Sequence, residues 1–171
     1  MKLDEESANA LHMFYIVMNL QDAIAELSKY NFSKEEYLAN KSFQNSTSFS
    51  AIQIGENVKG LSDDFRKEYN HIDWKGLSGL RDVYTHAYRR VDLHVAWNAI
   101  FIEFPPILES CIEICKKNNW EYPKESSIKK QTPMEKMLSI YDDLRDDAKP
   151  LQKFSDLFRK AKSLITSKIR Y

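Results

Sequence analysis

The apolar residues of the N-terminal segment recur at a helical period, and this pattern constrains the fold more than any other feature. Between about Glu5 and Lys29 they follow alternating steps of four and three, at Met13, Val17, Leu20, Ile24 and Leu27. Such steps keep side chains on one face of an α-helix, which turns once every 3.6 residues. The same steps return between Phe43 and Leu61, at Thr47, Ala51, Ile54 and Val58. The sequence therefore predicts two long amphipathic helices.

Capping signals divide the rest of the chain into further helices. Ser33 with Glu36 forms a capping box for a short helix, and Asp92 is a candidate N-cap for the helix that carries Trp97. Pro105 and Pro106 are expected to kink or interrupt that helix. Only four glycines occur, and no segment alternates with the period of two that marks a strand. The predicted fold class is all-α.

Gly55 lies inside the second long helix, where glycine costs helix stability. Its presence predicts that another helix approaches closely at this point.

Composition shifts divide the chain into three parts. Residues 1–118 form the predicted helical bundle, and the polar stretch 119–131 reads as a linker. Residues 132–171 form a predicted helical hairpin, whose first helix begins at Thr132-Pro-Met-Glu135 and whose second begins at Pro150. The second helix is basic, with seven Lys or Arg against the single acid Asp156 between Lys149 and Tyr171.

Charge and cysteine content limit the possible functions. The 25 basic residues equal the 25 acidic residues, so binding of a polyanion has to depend on a local patch. Cys111 and Cys115 lie four apart in an apolar pattern without partners at metal-ligand spacing, and we expect two buried thiols. The sequence shows no signal peptide and no membrane-spanning run, which predicts a cytoplasmic protein. We also expect no metal site and no cofactor.

One segment combines residues that suit RNA cleavage. Arg81, His86 and Tyr88 satisfy the pattern Arg-x4-His-x-Tyr. Histidine exchanges protons near neutral pH, as needed to activate a 2′-hydroxyl and to protonate a leaving oxygen. The arginine fork can hold the negative charge that gathers on phosphorus, and the tyrosine can stack on a base. By themselves the three residues also fit a solvated arginine, a structural histidine and a core tyrosine.

The surroundings of this motif resemble the HepT-like toxins of the HEPN superfamily, found in type VII toxin–antitoxin pairs. The shared features are the run from Ile54 to Ser62, Trp74 seven residues before Arg81, Val91-Asp-Leu before Trp97, and the later Phe-Pro-Pro-Ile-Leu-Glu. Asp82, directly after the arginine, also matches. The resemblance covers roughly Leu11 to Lys117 and leaves out the C-terminal part.

This resemblance implies an antiparallel bundle that forms a homodimer with two facing motifs and acts as a metal-independent endoribonuclease. It also implies a partner, a minimal nucleotidyltransferase antitoxin that transfers AMP to Tyr88. The chain lacks the Gly-Ser and paired-aspartate motif of a nucleotidyltransferase, so it is not that partner itself. Candidate supporting residues, for RNA contact or for the site, are Glu56, Asp82, Arg89 and Arg90.

Helix geometry restricts how the site can assemble. On one helix Arg81 and Tyr88 share a face, whereas His86 points about 140° away from Arg81. The motif therefore needs a helix that ends near His86 or a second copy across a dimer.

Two other functions stay open. The chain could be a catalytically silent HEPN module that binds nucleotides or a nucleotidyltransferase, with Tyr88 still an AMP acceptor. It could also be an interaction scaffold in which the C-terminal helices matter most. Trp74 and Trp97 are expected to be packing residues, and His12, His71 and His94 are expected to be structural.

Overall fold

Two long antiparallel helices form the centre of the computed structural model, which describes residues 3–86 and 91–124. They are α1 (Glu5–Lys29) and α3 (Lys41–Gly60), joined through the short α2 (Lys34–Ala39). Asn9 bonds to Ser62 and His12 to Asn57, while Tyr30 stacks on Phe43 at the other end. The two predicted long helices are confirmed, and their predicted apolar stripes are buried.

The remaining described helices pack around this pair. They are α4 (Asp63–Glu68), α5 (Trp74–His86), α6 (Leu93–Asn98) and α7 (Phe104–Lys117). Helix α5 packs along α3, and α7 packs on α1. No strand occurs in the described ranges, and the all-α prediction is confirmed.

Ser33 and Asp92 cap their helices as predicted, but the reciprocal bond of the Ser33–Glu36 capping box does not form, because the Ser33 N–H donates to the Tyr30 carbonyl instead. The Ser33 hydroxyl accepts from the Glu36 N–H at 3.1 Å, and Asp92 accepts from the N–H groups of His94 and Val95. Each bond satisfies a backbone donor that has no partner within the first helical turn. The cap at Asp92 fixes the start of α6 at Leu93, shortly after residues 87–90, which lie outside the described ranges.

The chain stays helical through the tandem prolines, but its α-helical bonding pattern is interrupted just before them. A π-helical turn, Ala99–Glu103, connects α6 to α7, and Pro105 lies in the first turn of α7. The Phe104 N–H donates to the Ala99 carbonyl, five residues back. The wider turn changes the bonding pattern where a proline ring would otherwise clash with the carbonyl four residues before it.

The continuous helical run Leu93–Lys117 meets the length and composition of a membrane span, with a mean hydropathy of 1.2 over its best window. Sequence inspection had found no such run. Half of that window is buried within the bundle, at residues that include Trp97, Phe104 and Leu108. The run is therefore a core helix of the bundle.

After α7 the chain stays on the bundle for a few residues. Trp120 stacks on Phe65 at 5.7 Å between ring centroids, and the Gln21 side-chain amide donates to the Pro123 carbonyl at 3.0 Å. The rest of the predicted linker and the predicted extension 132–171 lie outside the described residues.

The expected packing residues are buried. Trp74 and Trp97 are each 5% exposed, and both cysteines are buried free thiols. Burial raises the pKa of Cys111 and raises that of Cys115 to about 11.

Candidate functional site

Arg81 lies on α5 and is held by two carboxylates. Its Nε donates to Glu56 on α3, and its Nη1 donates to the neighbouring Asp82 at 3.2 Å. The Arg81 side chain is 32% exposed, so the guanidinium is oriented yet reachable from solvent. Glu56 and Asp82, both named from the sequence as supporting residues, are thus in direct contact with Arg81.

Lys59 completes a four-residue charge cluster. Its Nζ donates to the same Asp82 oxygen at 2.8 Å. We call Glu56, Lys59, Arg81 and Asp82 the charge cluster; it contains two cations and two anions. Lys59 was not singled out from the sequence, although its position three residues after Glu56 on α3 places it on the same helical face.

Contacts within the cluster stabilise the charged forms of Asp82 and Arg81. Hydrogen bonding from Lys59 lowers the pKa of the Asp82 carboxyl, with a smaller contribution from Arg81. The bond to Glu56 raises the pKa of the Arg81 guanidinium. The formal charges of the two cations and the two anions in the cluster cancel.

The close packing at Gly55 brings α3 against α5. A Cβ atom at Gly55 would lie 2.7 Å from the Arg81 Cβ and 3.1 Å from the Leu77 carbonyl oxygen. The predicted close approach is confirmed, and the approaching residue is Arg81. Because Glu56 follows Gly55 directly, the same contact sets Glu56 beside the guanidinium.

A buried group of hydroxyls, missed in the sequence analysis, lies one helical turn from Arg81. Tyr84 is partly buried, and its hydroxyl lies beside those of Tyr37 and Ser48. Burial, with Tyr37 next to it, raises the pKa of the Tyr84 phenol. The sequence signal for Tyr84 was its helical step of three from Arg81, which places the two residues on neighbouring turns of α5. This step alone does not show that the Tyr84 hydroxyl is buried.

The structure describes only part of the predicted motif. The position of His86, the last described residue of α5, lies about 140° around the helix from that of Arg81. The side chain of His86, and all of Tyr88, Arg89 and Arg90, lie outside the described residues. Helix α5 carries both positions and places Arg81 and His86 on different faces of the helix.

A cavity lies at the N-terminal end of α5. This cavity, of about 770 Å³, is lined by residues that include His71, Asp73 and Glu103. Burial, and then the nearby Asp73, raise the pKa of Glu103. Across residues 3–86 and 91–124, no group of three or more His, Cys, Asp or Glu side chains is arranged to hold a metal ion.

Comparison with known proteins gives a family match over more than half of the chain. The family model described as "Ribonuclease HepT-like" matches residues 20–114. Two proteins of Methanocaldococcus jannaschii, each bearing the name "Putative RNase", are 31% and 33% identical over 104 and 102 residues. These alignments cover 61% and 60% of this chain and 84% of each relative.

A Thermococcus cleftensis protein with the name "Probable ribonuclease HepT" is 30% identical over 73 residues, which are 43% of this chain and 66% of that protein. No solved structure matches the chain.

Proposed function

Because the chain belongs to the ribonuclease HepT-like family, we propose that it is a metal-independent endoribonuclease of the toxin type, with Arg81, His86 and Tyr88 at its site. The observation that carries the proposal is the orientation of Arg81 by Glu56 and Asp82 on a partly exposed surface. A guanidinium fixed in this way can bind a phosphate with little loss of side-chain freedom.

The proposed reaction follows from the residue types. His86 accepts the proton of the ribose 2′-hydroxyl, whose oxygen then forms a bond to phosphorus while the bond to the 5′-oxygen breaks. Histidine in its protonated form supplies the proton that this leaving oxygen takes. Arg81 stabilises the extra negative charge on the phosphoryl oxygens during this exchange. The products are a 2′,3′-cyclic phosphate and a 5′-hydroxyl.

We propose that the active form is a homodimer in which Arg81 of one protomer works with His86 of the other. Helix geometry supports this arrangement, because α5 is helical through His86 and the two positions point about 140° apart. A two-fold axis that places two α5 helices side by side turns each Arg81 toward the partner's motif.

The decisive experiment is cleavage of a mixed RNA in EDTA by the purified, unmodified chain. Arg81→Ala and His86→Ala are assayed beside it, with Lys67→Ala on the exposed surface of α4 as a matched control. We expect cleavage by the wild type and by the control only, with cyclic phosphate ends. Cleavage that EDTA abolishes, or that both motif variants retain, would contradict the proposal.

We further propose that a minimal nucleotidyltransferase antitoxin silences the enzyme by transferring AMP to Tyr88. Tyr84 offers a matched control, since it is a tyrosine four residues earlier whose hydroxyl is buried beside Tyr37. On co-expression with such a transferase, Tyr88→Phe is expected to lose the added AMP mass and Tyr84→Phe to keep it. Labelling of Tyr88→Phe would show that another residue is the acceptor.

A nuclease silenced in this way acts where RNA and ATP are present, so we propose that the protein is located in the cytoplasm.

We also propose that the chain is divided into a helical bundle, residues 1–118, and a C-terminal helical extension, residues 132–171. Arg89 and Arg90 directly follow Tyr88 in the sequence, and we propose that they contact phosphates.

A second candidate function is a silent module that binds a nucleotidyltransferase or nucleotide. One observation favours it: two carboxylates already neutralise Arg81. In that case the cleavage assay gives no product with any variant, whereas AMP transfer to Tyr88 still occurs. The two readouts together distinguish the enzyme from the module.

A further inference from the structure

Helix α1 carries an exposed apolar face that no described residue covers. Leu11 and Tyr15 are 44% and 41% exposed, although both are large apolar side chains on a long helix. Phe14 and Met18 flank them and are only partly buried, and the rings of Phe14 and Tyr15 meet edge to face. We call these four residues the α1 apolar face. Large apolar side chains grouped on one face usually mark a contact surface.

The described chain ends beside this face. The Gln21 side-chain amide donates to the Pro123 carbonyl at 3.0 Å. Gln21 lies one helical turn from Met18 along α1. The described chain therefore ends about one helical turn from the face, and its attachment there raises the effective concentration of residues 125–171 at the face.

The C-terminal residues have the length and pattern to cover it. Between Pro150 and Ile169 an apolar stripe recurs at helical spacing, at Leu151, Phe154, Leu157, Phe158, Ala161, Ile165 and Ile169. A helix of this length spans about 30 Å, and the part of α1 from Glu5 to Gln21 spans about 24 Å. The residues between Pro123 and Pro150 are enough to reach either end of α1.

Charge also favours this pairing. Between Asp4 and Lys29 the chain has five acids and one lysine, and Glu5, Glu6 and Asp22 are exposed. From Lys149 to Tyr171 it has seven Lys or Arg and one acid. Opposite net charges at the edges of an apolar contact favour association of these two segments over contact between two copies of either one.

Both segments lie outside the family match. It begins at residue 20, after the α1 apolar face, and ends at residue 114, before the C-terminal residues.

We propose that residues 150–169 dock on the α1 apolar face of the same chain as an amphipathic helix. The contact would bury Leu11 and Tyr15 against the C-terminal apolar stripe, with the basic side chains facing the acids of α1. The extension would then pack against the outside of the bundle along α1, which does not carry the charge cluster.

Hydrogen exchange of the full-length chain tests the proposal. We expect backbone amides of residues 150–169 to exchange at least ~10-fold more slowly than in an unstructured peptide, and Tyr15→Asp to remove this protection. Phe49→Asp is the matched control, because Phe49 is 63% exposed on α3 and does not belong to the α1 apolar face. An unprotected C-terminal segment, or protection that survives Tyr15→Asp, would overturn the proposal.

Zero-length carbodiimide cross-linking of mixed isotope-labelled and unlabelled chains identifies the occupant. We expect links between acids of α1 and lysines of residues 150–169 within one chain, and fewer of them in Tyr15→Asp. Links that join labelled to unlabelled chains would assign the face to a second copy and contradict docking within the chain. Leu157→Asp is the reciprocal variant, and it is expected to expose the same two segments.

Discussion

At Arg81 the positive charge that a nuclease needs is already bound to carboxylates of the same chain. Glu56 accepts a hydrogen bond from Nε and Asp82 accepts one from Nη1. Lys59 donates to the same Asp82 oxygen. Carboxylates in this arrangement orient the fork, and a phosphate that binds there has to compete with them. The proposed role of Arg81 therefore depends on the residues that hold it.

Substitution of Glu56 is expected to affect turnover more than stability. Glu56→Ala removes the acceptor for Nε, and we expect RNA cleavage to fall about 10-fold or more because the guanidinium loses its orientation. Glu56→Gln keeps an oxygen acceptor and is expected to retain most of the rate. Initial rates of RNA cleavage at saturating substrate measure the difference.

Glu68→Ala is the control for this pair, since Glu68 pairs with Lys117 on an exposed surface away from Arg81. Its cleavage rate is expected to equal that of the wild type. If Glu56→Ala and Glu56→Gln cleave equally fast, Glu56 does not orient Arg81.

At the scale of the helices, the spacing of α3 and α5 depends on Gly55. An alanine there would meet the backbone and Cβ of Arg81, so Gly55→Ala forces the helices apart. Overpacking of this kind costs about 1–3 kcal/mol, whereas the intrinsic helix preference of alanine returns about 1 kcal/mol.

Gly60→Ala separates these two effects. Its added methyl would meet the far end of the His12 side chain, which can move aside at the cost of its bond to Asn57. We expect the free energy of unfolding of Gly55→Ala to be about 1–3 kcal/mol below that of Gly60→Ala in urea titrations. Equal free energies of unfolding for the two variants would mean that α3 and α5 can move apart at Gly55 at little energetic cost.

The fold was largely predictable at this scale, because periodicity and caps report local structure directly. The stripes of α1 and α3, the cap at Asp92 and the close approach at Gly55 were all read from neighbouring residues. The π-helical turn before Pro105 was not predictable, since it shifts the helical register by one residue without a distinct composition.

The candidate site was predictable only in part. Arg81, Asp82 and Glu56 were named, but the contact between Glu56 and Arg81 joins residues 25 apart in sequence through helix packing. Lys59 and the hydroxyl group around Tyr84 depend on the same packing and were missed. The assignment of His86 and Tyr88 stays a prediction.

For the whole molecule, the proposed dimer predicts complementation between inactive variants. Arg81→Ala and His86→Ala are each expected to lack cleavage. After co-folding, half of the dimers contain one of each, and one of their two sites has both intact residues, so the mixture should recover about a quarter of wild-type activity. A mixture without activity would contradict a site shared between protomers.

The core also predicts the behaviour of the two thiols. Burial holds the pKa of Cys115 at about 11 and raises that of Cys111, so almost no thiolate forms at pH 8 in the folded protein. Both should react with dithiobis(nitrobenzoic acid) only after unfolding in guanidinium. Ser46→Cys, on the exposed surface of α3, is the control that should react at once. Fast native labelling of Cys111 or Cys115 would mean that α7 opens locally.

The neutrality of the charge cluster has a kinetic consequence. Two cations and two anions within hydrogen-bonding distance leave little field beyond the surface, and the chain as a whole has no net charge. Long-range attraction therefore contributes little to the first encounter with RNA at this surface. Under the proposed function, capture would occur by exchange, as a phosphate displaces a carboxylate from Arg81 after contact. An unmodified copy would consequently ignore most polyanions that it meets and engage only a strand whose shape brings a phosphate up to the guanidinium.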